Sequence, residues 1–214
     1  MNLDLKNLRE EYSLDSIDIS LLPEDPIELF KVWLQVALKS PILEPNAFTL
    51  ATVGSDGSPS ARIVLLKEIE KDGFIFYTNY ESRKAQEMAI NKKVAGVFSW
   101  VEVQKQIRLE GMAQKISTEQ SEIYFQSRPR ESQVGAWASP QSTVLESRSE
   151  LESRFALIEK KFSGREVLPC PPNWGGFKIF PSKIEFWQGR RSRLHDRVNY
   201  TLQNGQFIRQ LLAP

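Results

Sequence analysis

The single histidine of the chain, His195, lies in the charged run Arg193-Leu194-His195-Asp196-Arg197, close to the C-terminus. If this run is extended, its side chains alternate between two faces, and Arg193, His195 and Arg197 point the same way. Three potential cations on one face repel one another, and an anionic ligand that neutralises them would explain the pattern. A charged edge strand that resists aggregation explains this run equally well.

Two further groups of polar residues are spaced to hold phosphate-sized anions. Tyr77-Thr78-Asn79 ends a predicted strand and Ser82-Arg83-Lys84 begins a predicted helix, so hydroxyls, free backbone N–H groups and two cations meet in one connection. A capped helix with solvated basic side chains would have the same sequence pattern. Tyr124 and Arg128 lie one helical turn apart, and Ser132 follows four positions later. Two separate anion clusters indicate two phosphorylated ligands, such as a cofactor and a substrate.

Other side chains could complete a site for a ligand that carries a ring. The amides of Gln106 and Gln141 and the hydroxyl of Ser142 can bond the carbonyl groups and ring nitrogens of a heterocycle. Trp187 could supply a flat apolar wall, although a tryptophan on a strand belongs to the core more often.

Arg62 and Lys67 stand at the two ends of the apolar segment Arg62-Ile63-Val64-Leu65-Leu66-Lys67. Strict alternation puts the two cations on opposite faces of a strand, so they should serve different partners unless a bulge intervenes. Lysines at strand ends are common, and this pair alone identifies no ligand.

Composition narrows the class of protein. The 214 residues, 41% of them hydrophobic, are enough for one domain with a sizeable core. A formal net charge of +1 argues against a general attraction to nucleic acid or to an acidic membrane, so any anion site must be local. The sequence has no GxGxxG loop, no P-loop and no Cys/His spacing for zinc, and its one cysteine, Cys170, cannot form an intrachain disulfide. With neither a signal peptide nor a long apolar segment in the sequence, we expect a cytoplasmic protein without a bound metal.

Hydrophobic periodicity predicts the elements that position these residues. Residues 1–22 read as a flexible polar arm that orders only against something else, and 23–214 as a single domain. Asp25 caps a first helix with one apolar face, and further helices are predicted at 82–91, 117–128 and after Ser147. Strands are predicted at 48–53, 61–67, 74–78, 94–101, 104–116, 176–180, 183–188, 197–202 and 207–212. Short antiparallel strands interrupted by helices predict a mainly β fold, a barrel with α decoration.

Several motifs together resemble the pyridoxine (pyridoxamine) 5'-phosphate oxidase family, in order and over nearly the whole chain. They are Arg62-Ile-Val-Leu-Leu-Lys67, Tyr77-Thr-Asn79, Ser82-Arg-Lys84, Ser127-Arg-Pro-Arg130 with Ser132-Gln133, Gly135-Ala-Trp137, Phe186-Trp-Gln-Gly189 and Arg193-Leu-His-Asp-Arg197. The resemblance implies an antiparallel FMN-binding split β-barrel with a C-terminal dimerisation region, homodimeric, with each flavin at the subunit interface. It implies oxidation of pyridoxamine 5'-phosphate and pyridoxine 5'-phosphate to pyridoxal 5'-phosphate, with dioxygen as electron acceptor and hydrogen peroxide released.

The same resemblance implies roles for individual residues. FMN would be held by Arg62, Ile63, Val64, Leu65, Leu66, Lys67, Tyr77, Thr78, Arg83, Lys84, Gln106, Gln141, Ser142, Trp187 and Arg197. The substrate would be held by Arg9, Tyr12, Lys67, Tyr124, Arg128, Ser132, Arg193 and His195. Arg193 and His195 would be catalytic: both would orient the pyridine ring, and Arg193 would favour loss of a proton from the substrate. Another split-barrel flavoprotein, a non-enzymatic carrier of pyridoxal phosphate and a nucleic-acid module are the alternatives.

Two positions depart from the family's pattern. The arm reads Arg9-Glu10-Glu11-Tyr12 where the family often has Arg-Arg-Glu-Tyr, a change that bears on how well the arm covers the substrate. The chain ends in Leu211-Leu212-Ala213-Pro214 where the family often has Arg-Leu-Ala-Pro. Neither change touches the implied flavin contacts.

Overall fold

The computed structural model describes residues 11–214. Over these residues it has eight strands, β1 (Ala47–Val53), β2 (Pro59–Glu70), β3 (Gly73–Asn79), β4 (Lys93–Trp100), β5 (Lys105–Lys115), β6 (Trp174–Gln188), β7 (Asp196–Gln203) and β8 (Gln206–Leu211). Five α-helices accompany them, α1 (Pro26–Leu38), α2 (Arg83–Ile90), α3 (Thr118–Ser127), α4 (Arg130–Ala138) and α5 (Arg148–Lys161). No helix within these residues is long and apolar enough to span a bilayer.

The strands form one sheet in the order β3-β2-β1-β4-β5-β6-β7-β8, and an additional pairing of β3 with β6 closes the first six into a barrel. The pairs β2–β3, β3–β6, β6–β7 and β7–β8 are antiparallel. A tight turn at Asn204 and Gly205 joins β7 to β8, and both residues have the positive φ that such a turn requires. The predicted barrel with helical decoration is confirmed.

Contacts within the chain group it into two compact units. The first holds residues 11–49, Ala95–Glu110 and Pro181–Pro214. Its core is aromatic: Phe30 of α1 packs edge-to-face on Phe98, with 5.0 Å between ring centroids, and Trp33 packs in the same way on Phe186, at 5.2 Å. Asp25 caps α1 as predicted, since its side chain accepts a backbone N–H bond from the first turn. The cap and the apolar face fix this helix in place.

The second unit holds Leu50–Val94 and Gly111–Phe180. A separate hydrophobic cluster lies among its helices and is formed by Phe125, Val134, Phe162, Leu168 and Trp174. Tyr77 from β3 and Tyr124 from α3 pack against this cluster. The cluster therefore holds in place two tyrosines that belong to the predicted site.

Two local predictions differ from the structure, and proline explains both. Residues 176–180 and 183–188, predicted as two strands, belong to the single strand β6. Pro181 lies between the segment paired with β3 and the segment paired with β7, so its missing N–H interrupts neither of these ladders. The helix α4 is absent from the prediction, which has a helix at 117–128 and none directly after it. Pro129 is also the N-cap of α4, a position that tolerates proline.

Candidate active site

A cavity of about 970 Å³ opens in the second unit and is lined mainly by polar and basic side chains. Most of the predicted flavin-binding residues line it: Arg62, Ile63, Val64, Leu65, Lys67, Tyr77, Thr78, Arg83, Lys84, Gln141 and Ser142. Four predicted substrate-binding residues line it too: Tyr124, Arg128, Ser132 and Lys67, which belongs to both predicted sets. Leu66 is 5% exposed and belongs to the core, although its neighbours on β2 face the cavity. The structure thus brings together residues that are up to 80 positions apart, from Arg62 to Ser142.

Arg62 and Lys67 both line this cavity, although strict alternation would separate them. The pairing of β2 with β3 shifts register between Leu66 and Glu68, so Lys67 sits at a bulge. A bulge adds one residue to a strand and turns the following side chains to the other face. The sequence analysis allowed for such a bulge between Arg62 and Lys67, and the structure contains one.

The connection from β3 to α2 forms one basic part of the cavity. Lys84 is 7% exposed, and its ammonium donates hydrogen bonds to the hydroxyls of Thr78, at 3.1 Å, and Ser82, at 3.2 Å. No carboxylate within residues 11–214 forms an ion pair with Lys84. Burial, with a smaller contribution from Arg62, lowers the pKa of Lys84 from 10.5 to about 8. A buried cation without a counter-ion is the electrostatic signature of an anion site.

Tyr124, Arg128 and the neighbouring aromatic rings form a second part of the cavity. The guanidinium of Arg128 lies over the ring of Trp174, 4.6 Å from its centroid. Its Nη1 atom is buried and has no hydrogen-bond partner among the described residues. Burial lowers the pKa of Arg128, so this cation too is held in a poorly solvated position. Ser132, from the first turn of α4, lines the cavity beside it. An unpaired buried donor is available to an acceptor from a ligand or from water.

Tyr77 and Tyr124 stack face to face, with 3.8 Å between ring centroids. The Tyr77 hydroxyl donates a hydrogen bond to Glu68, which fixes the ring. Burial raises the pKa of both phenols, and Glu68 raises that of Tyr77 further. Both tyrosines therefore stay protonated and act as hydrogen-bond donors rather than as bases.

The run Arg193–Arg197 is not extended, so the prediction that its three cations share one face is wrong. Arg193 closes a 3-10 turn in which both it and Ser192 have positive φ, 60° and 56°, and β7 begins only at Asp196. Arg197 is neutralised inside the protein, because its guanidinium binds the carboxylate of Glu185 through two N–H groups, at 2.8 and 3.1 Å. The charge repulsion expected from the sequence is relieved by this turn and this pair, without a ligand.

His195 belongs to an aromatic group in the first unit. Its ring centroid lies 4.6 Å from that of Trp187 and 5.7 Å from that of Tyr12. The backbone N–H of Arg190 donates to Nδ1 of His195 at 3.1 Å, which leaves Nε2 to carry the proton of the neutral ring. Burial, followed by the nearby charge of Arg193, lowers the pKa of His195. The imidazole is therefore neutral and can donate from Nε2 at neutral pH.

The arm brings Tyr12 to this group. The backbone N–H groups of Ser13 and Leu14 both donate to the side-chain oxygen of Gln104, at 3.0 and 3.1 Å. Asp15 pairs with the buried ammonium of Lys105 at 3.0 Å. Arg9, predicted to bind substrate, lies outside the described residues.

Sequence reasoning placed Gln106, Trp187, Arg193, His195 and Arg197 in the same site as the cavity residues. In the structure they belong to the first unit, and the cavity lining does not include them. Reasoning from the sequence also missed Trp174 and Glu87, which contact predicted site residues. Glu87 lies four positions after Arg83 on a helix, and that spacing could have signalled it. Among residues 11–214 no three His, Cys, Asp or Glu side chains are grouped so as to hold a metal ion.

Comparison with known proteins explains this combination of residues. A family model described as "Pyridoxamine 5'-phosphate oxidase" matches residues 34–162. The chain belongs to the pyridoxamine 5'-phosphate oxidase family. A second model, described as "Pyridoxine 5'-phosphate oxidase C-terminal dimerisation region", matches residues 174–214 of this family member. The resemblance seen in the sequence motifs is therefore confirmed.

Relatives of this pyridoxamine 5'-phosphate oxidase family member extend over its full length. A protein of Microcystis aeruginosa named pyridoxine/pyridoxamine 5'-phosphate oxidase is 51% identical and covers 100% of both chains. A protein of the same name from Thermosynechococcus vestitus is 50% identical over 98% of this chain and 99% of its own. Among solved structures, PhzG from Burkholderia lata, in complex with tetrahydrophenazine-1-carboxylic acid, matches with a TM-score of 0.86 at 30% identity, covering 94% of this chain and all of its own. These matches confirm the split-barrel fold.

Proposed function

We propose that this protein is an FMN-dependent oxidase that converts pyridoxamine 5'-phosphate and pyridoxine 5'-phosphate to pyridoxal 5'-phosphate. Relatives that are 45–51% identical over at least 98% of the chain carry this activity in their names. The observation that carries the proposal is the unpaired buried Nη1 atom of Arg128, in a cavity that also contains the uncompensated cation Lys84. Two such groups fit one phosphate on the cofactor and another on the substrate.

The residues of the cavity fit FMN. Lys84, Arg83 and Arg62 supply positive charge for the flavin phosphate, and the N-terminus of α2, which Ser82 does not cap through its side chain, adds backbone donors. Gln141 and Ser142 lie at the cavity wall and provide groups that can bond a ring system. FMN held by these residues would supply an acceptor for the substrate's hydride and a route for the electrons to dioxygen. The protein supplies position and electrostatics.

Tyr124, Arg128, Ser132 and Lys67 would hold the substrate phosphate. A phosphate monoester is largely dianionic at neutral pH, and two cations with two hydroxyl donors match its charge and its acceptors. The Arg128 guanidinium is already positioned on Trp174, so little side-chain entropy is lost when it binds. This cluster therefore selects phosphorylated vitamers.

His195 and Arg193 would act on the substrate ring. The neutral imidazole of His195 would donate from Nε2 to a ring oxygen or nitrogen, and Arg193 would favour loss of a proton from the amine or alcohol. For the amine, one substrate molecule, one water and one dioxygen give pyridoxal 5'-phosphate, ammonia and hydrogen peroxide. For the alcohol, substrate and dioxygen give the aldehyde and peroxide directly. An Arg193→Ala variant with unchanged kcat and unchanged KM would refute its role.

The match to a C-terminal dimerisation region supports a homodimer. A flavin bound between two subunits would bring the His195 group of one copy to the cavity of the other. In this arrangement the two groups of predicted site residues would meet in one site. Gln106, Trp187 and Arg197 would then contact FMN as the family resemblance implies, with Arg197 already oriented by Glu185.

The proposal is tested by comparing pyridoxamine 5'-phosphate with pyridoxamine, which lacks the phosphate. We expect kcat/KM to fall by about a hundredfold or more without the phosphate, because two charge-assisted contacts are lost. In Arg128→Ala the values of kcat/KM for pyridoxamine 5'-phosphate and pyridoxamine should differ much less. Equal turnover of both substrates by the wild type would contradict the proposal. Turnover of tetrahydrophenazine-1-carboxylic acid, the compound bound in the PhzG structure, without turnover of either vitamer would also contradict it.

A further inference from the structure

One buried carboxylate in the second unit accepts hydrogen bonds from several directions. Glu87 of α2 is 6% exposed. Its Oε2 atom accepts from the hydroxyls of Thr52, at 2.5 Å, and Ser60, at 2.6 Å, and lies 3.4 Å from Nη2 of Arg62. Its Oε1 atom accepts from Nε of Arg83 at 2.8 Å. Glu87 thus joins Arg62 and Arg83, two of the arginines that line the cavity.

The carboxylate of Glu87 stays ionised at all ordinary pH values. Burial by itself would raise its pKa, but the hydrogen bonds from Ser60, Thr52 and Arg83 outweigh burial and lower the pKa to about 2. Glu87 does not line the cavity itself. It is therefore a fixed negative charge behind the wall and not a group that exchanges protons with a ligand.

The two arginines depend on this carboxylate to different degrees. Arg62 has further acceptors, since Nη1 also donates to the backbone oxygen of Leu50, at 3.2 Å, and to Thr52. The side chain of Arg83 is 65% exposed, and Glu87 is its only side-chain acceptor within the described residues. An exposed arginine without such a partner samples many rotamers. The position of the Arg83 guanidinium thus depends mainly on Glu87, whereas that of Arg62 does not.

Glu87 also offsets repulsion among the cations. Arg62, Arg83 and Lys84 line the same cavity, and the charge of Arg62 already contributes to the lowered pKa of Lys84. One carboxylate shared between Arg62 and Arg83 lets these positive charges stay close together before a ligand arrives.

We infer that Glu87 is a positioning residue, which holds Arg62 and Arg83 in the arrangement that receives the phosphate group of the flavin. This inference rests on the proposed function, since it takes FMN as the ligand of the cavity. Preorganised donors bind a phosphate more tightly because less side-chain entropy is lost on binding. The contribution of Glu87 is specific to the phosphate and does not extend to the flavin ring.

The test compares FMN with riboflavin, which has the same ring system and no phosphate. The full-length protein, freed of flavin, is titrated with each ligand, and flavin fluorescence gives the two dissociation constants. In Glu87→Gln we expect the Kd for FMN to rise by about tenfold or more, the effect of losing one charge-assisted contact. The Kd for riboflavin should stay unchanged. Glu87→Asp, which keeps the charge but shortens the reach, should weaken FMN binding in the same selective way.

A matched control removes a glutamate that pairs with an arginine four positions away on a different helix. Glu152 pairs with Arg148 at 3.0 Å, also four positions apart on a helix, but on an exposed surface. Glu152→Gln should leave both dissociation constants unchanged. Circular dichroism at the titration temperature establishes that each variant is folded.

Three results would overturn the inference, and the third would also contradict the proposed function. If both Glu87 variants bind FMN as the wild type does, Glu87 does not position the arginines. If they lose FMN and riboflavin affinity equally, Glu87 supports the structure generally and has no role specific to the phosphate. If the wild type itself does not distinguish FMN from riboflavin, the proposed flavin-phosphate site is wrong as well.

Discussion

FMN affinity should depend on pH through Lys84, the buried lysine of the proposed flavin-phosphate site. In the free protein its pKa is about 8 because burial disfavours the charged form. A bound phosphate dianion favours the ammonium, so binding raises this pKa again. Above the free-protein pKa, FMN binding must therefore be accompanied by proton uptake, and affinity falls as pH rises.

The size of the effect follows from the pKa of Lys84. Between pH 7 and pH 9 the fraction of Lys84 that is protonated in the free protein falls from about nine tenths to about one tenth. If the lysine stays protonated in the complex, the Kd for FMN rises about tenfold over this range. The phosphate is already largely dianionic above pH 7, so its own titration contributes little. Isothermal titration calorimetry in buffers of different ionisation enthalpy measures both Kd and proton uptake.

Two variants isolate the contribution of Lys84. Lys84→Gln should bind FMN more weakly at pH 7 and show no tenfold change between pH 7 and 9. Lys93→Gln removes an exposed lysine on β4 and should keep the wild-type pH dependence. A Kd that does not change with pH in the wild type would refute the reasoning. So would a change that persists in Lys84→Gln.

Three further predictions concern other parts of the protein. Arg128→Ala should raise KM for pyridoxamine 5'-phosphate by about ten- to a hundredfold with a smaller change in kcat, since it removes contacts to the substrate phosphate; an unchanged KM would place the phosphate elsewhere. Asp15→Asn should raise KM for pyridoxamine 5'-phosphate by about fivefold at most in steady-state assays, because Asp15 is mostly exposed and its pair with Lys105 is worth about 1 kcal/mol or less; a loss of kcat alone would contradict a role in holding the arm. As pH falls from 4.5 to 2, the wild type should lose up to about 3 kcal/mol of stability through protonation of Glu87, whose depressed pKa stabilises the fold above that window; in urea unfolding Glu87→Gln should lack this component.

Much of the site could be predicted because its residues follow local rules. The group at Ser82, Arg83 and Lys84 stands at a helix start, where the first backbone N–H groups have no partner within the helix. Tyr124 and Arg128 share a helical face by spacing alone. Contacts between such residues are set by the geometry of the helix and do not depend on the tertiary fold. Periodicity recovered the strands of the barrel for the same reason.

The errors came where distant contacts or unusual backbone decided the outcome. Nothing in the alternation of Arg193 to Arg197 indicates that Ser192 and Arg193 adopt positive φ, a conformation rare for residues other than glycine. The pairing of Arg197 with Glu185 depends on the register of β6 and β7, which a single strand does not define. The spacing of Glu87 from Arg83 is a local signal, but its contacts with Thr52 and Ser60 depend on the tertiary fold and could not be predicted.

The central claim, that this protein oxidises phosphorylated B6 vitamers with dioxygen, is tested most directly by product stoichiometry. Purified protein with FMN is incubated in air with pyridoxamine 5'-phosphate or pyridoxine 5'-phosphate, and pyridoxal 5'-phosphate and hydrogen peroxide are measured together. We predict one peroxide for each pyridoxal 5'-phosphate from both substrates, and one ammonia in addition from the amine. Flavin bound without turnover of either vitamer would contradict the claim.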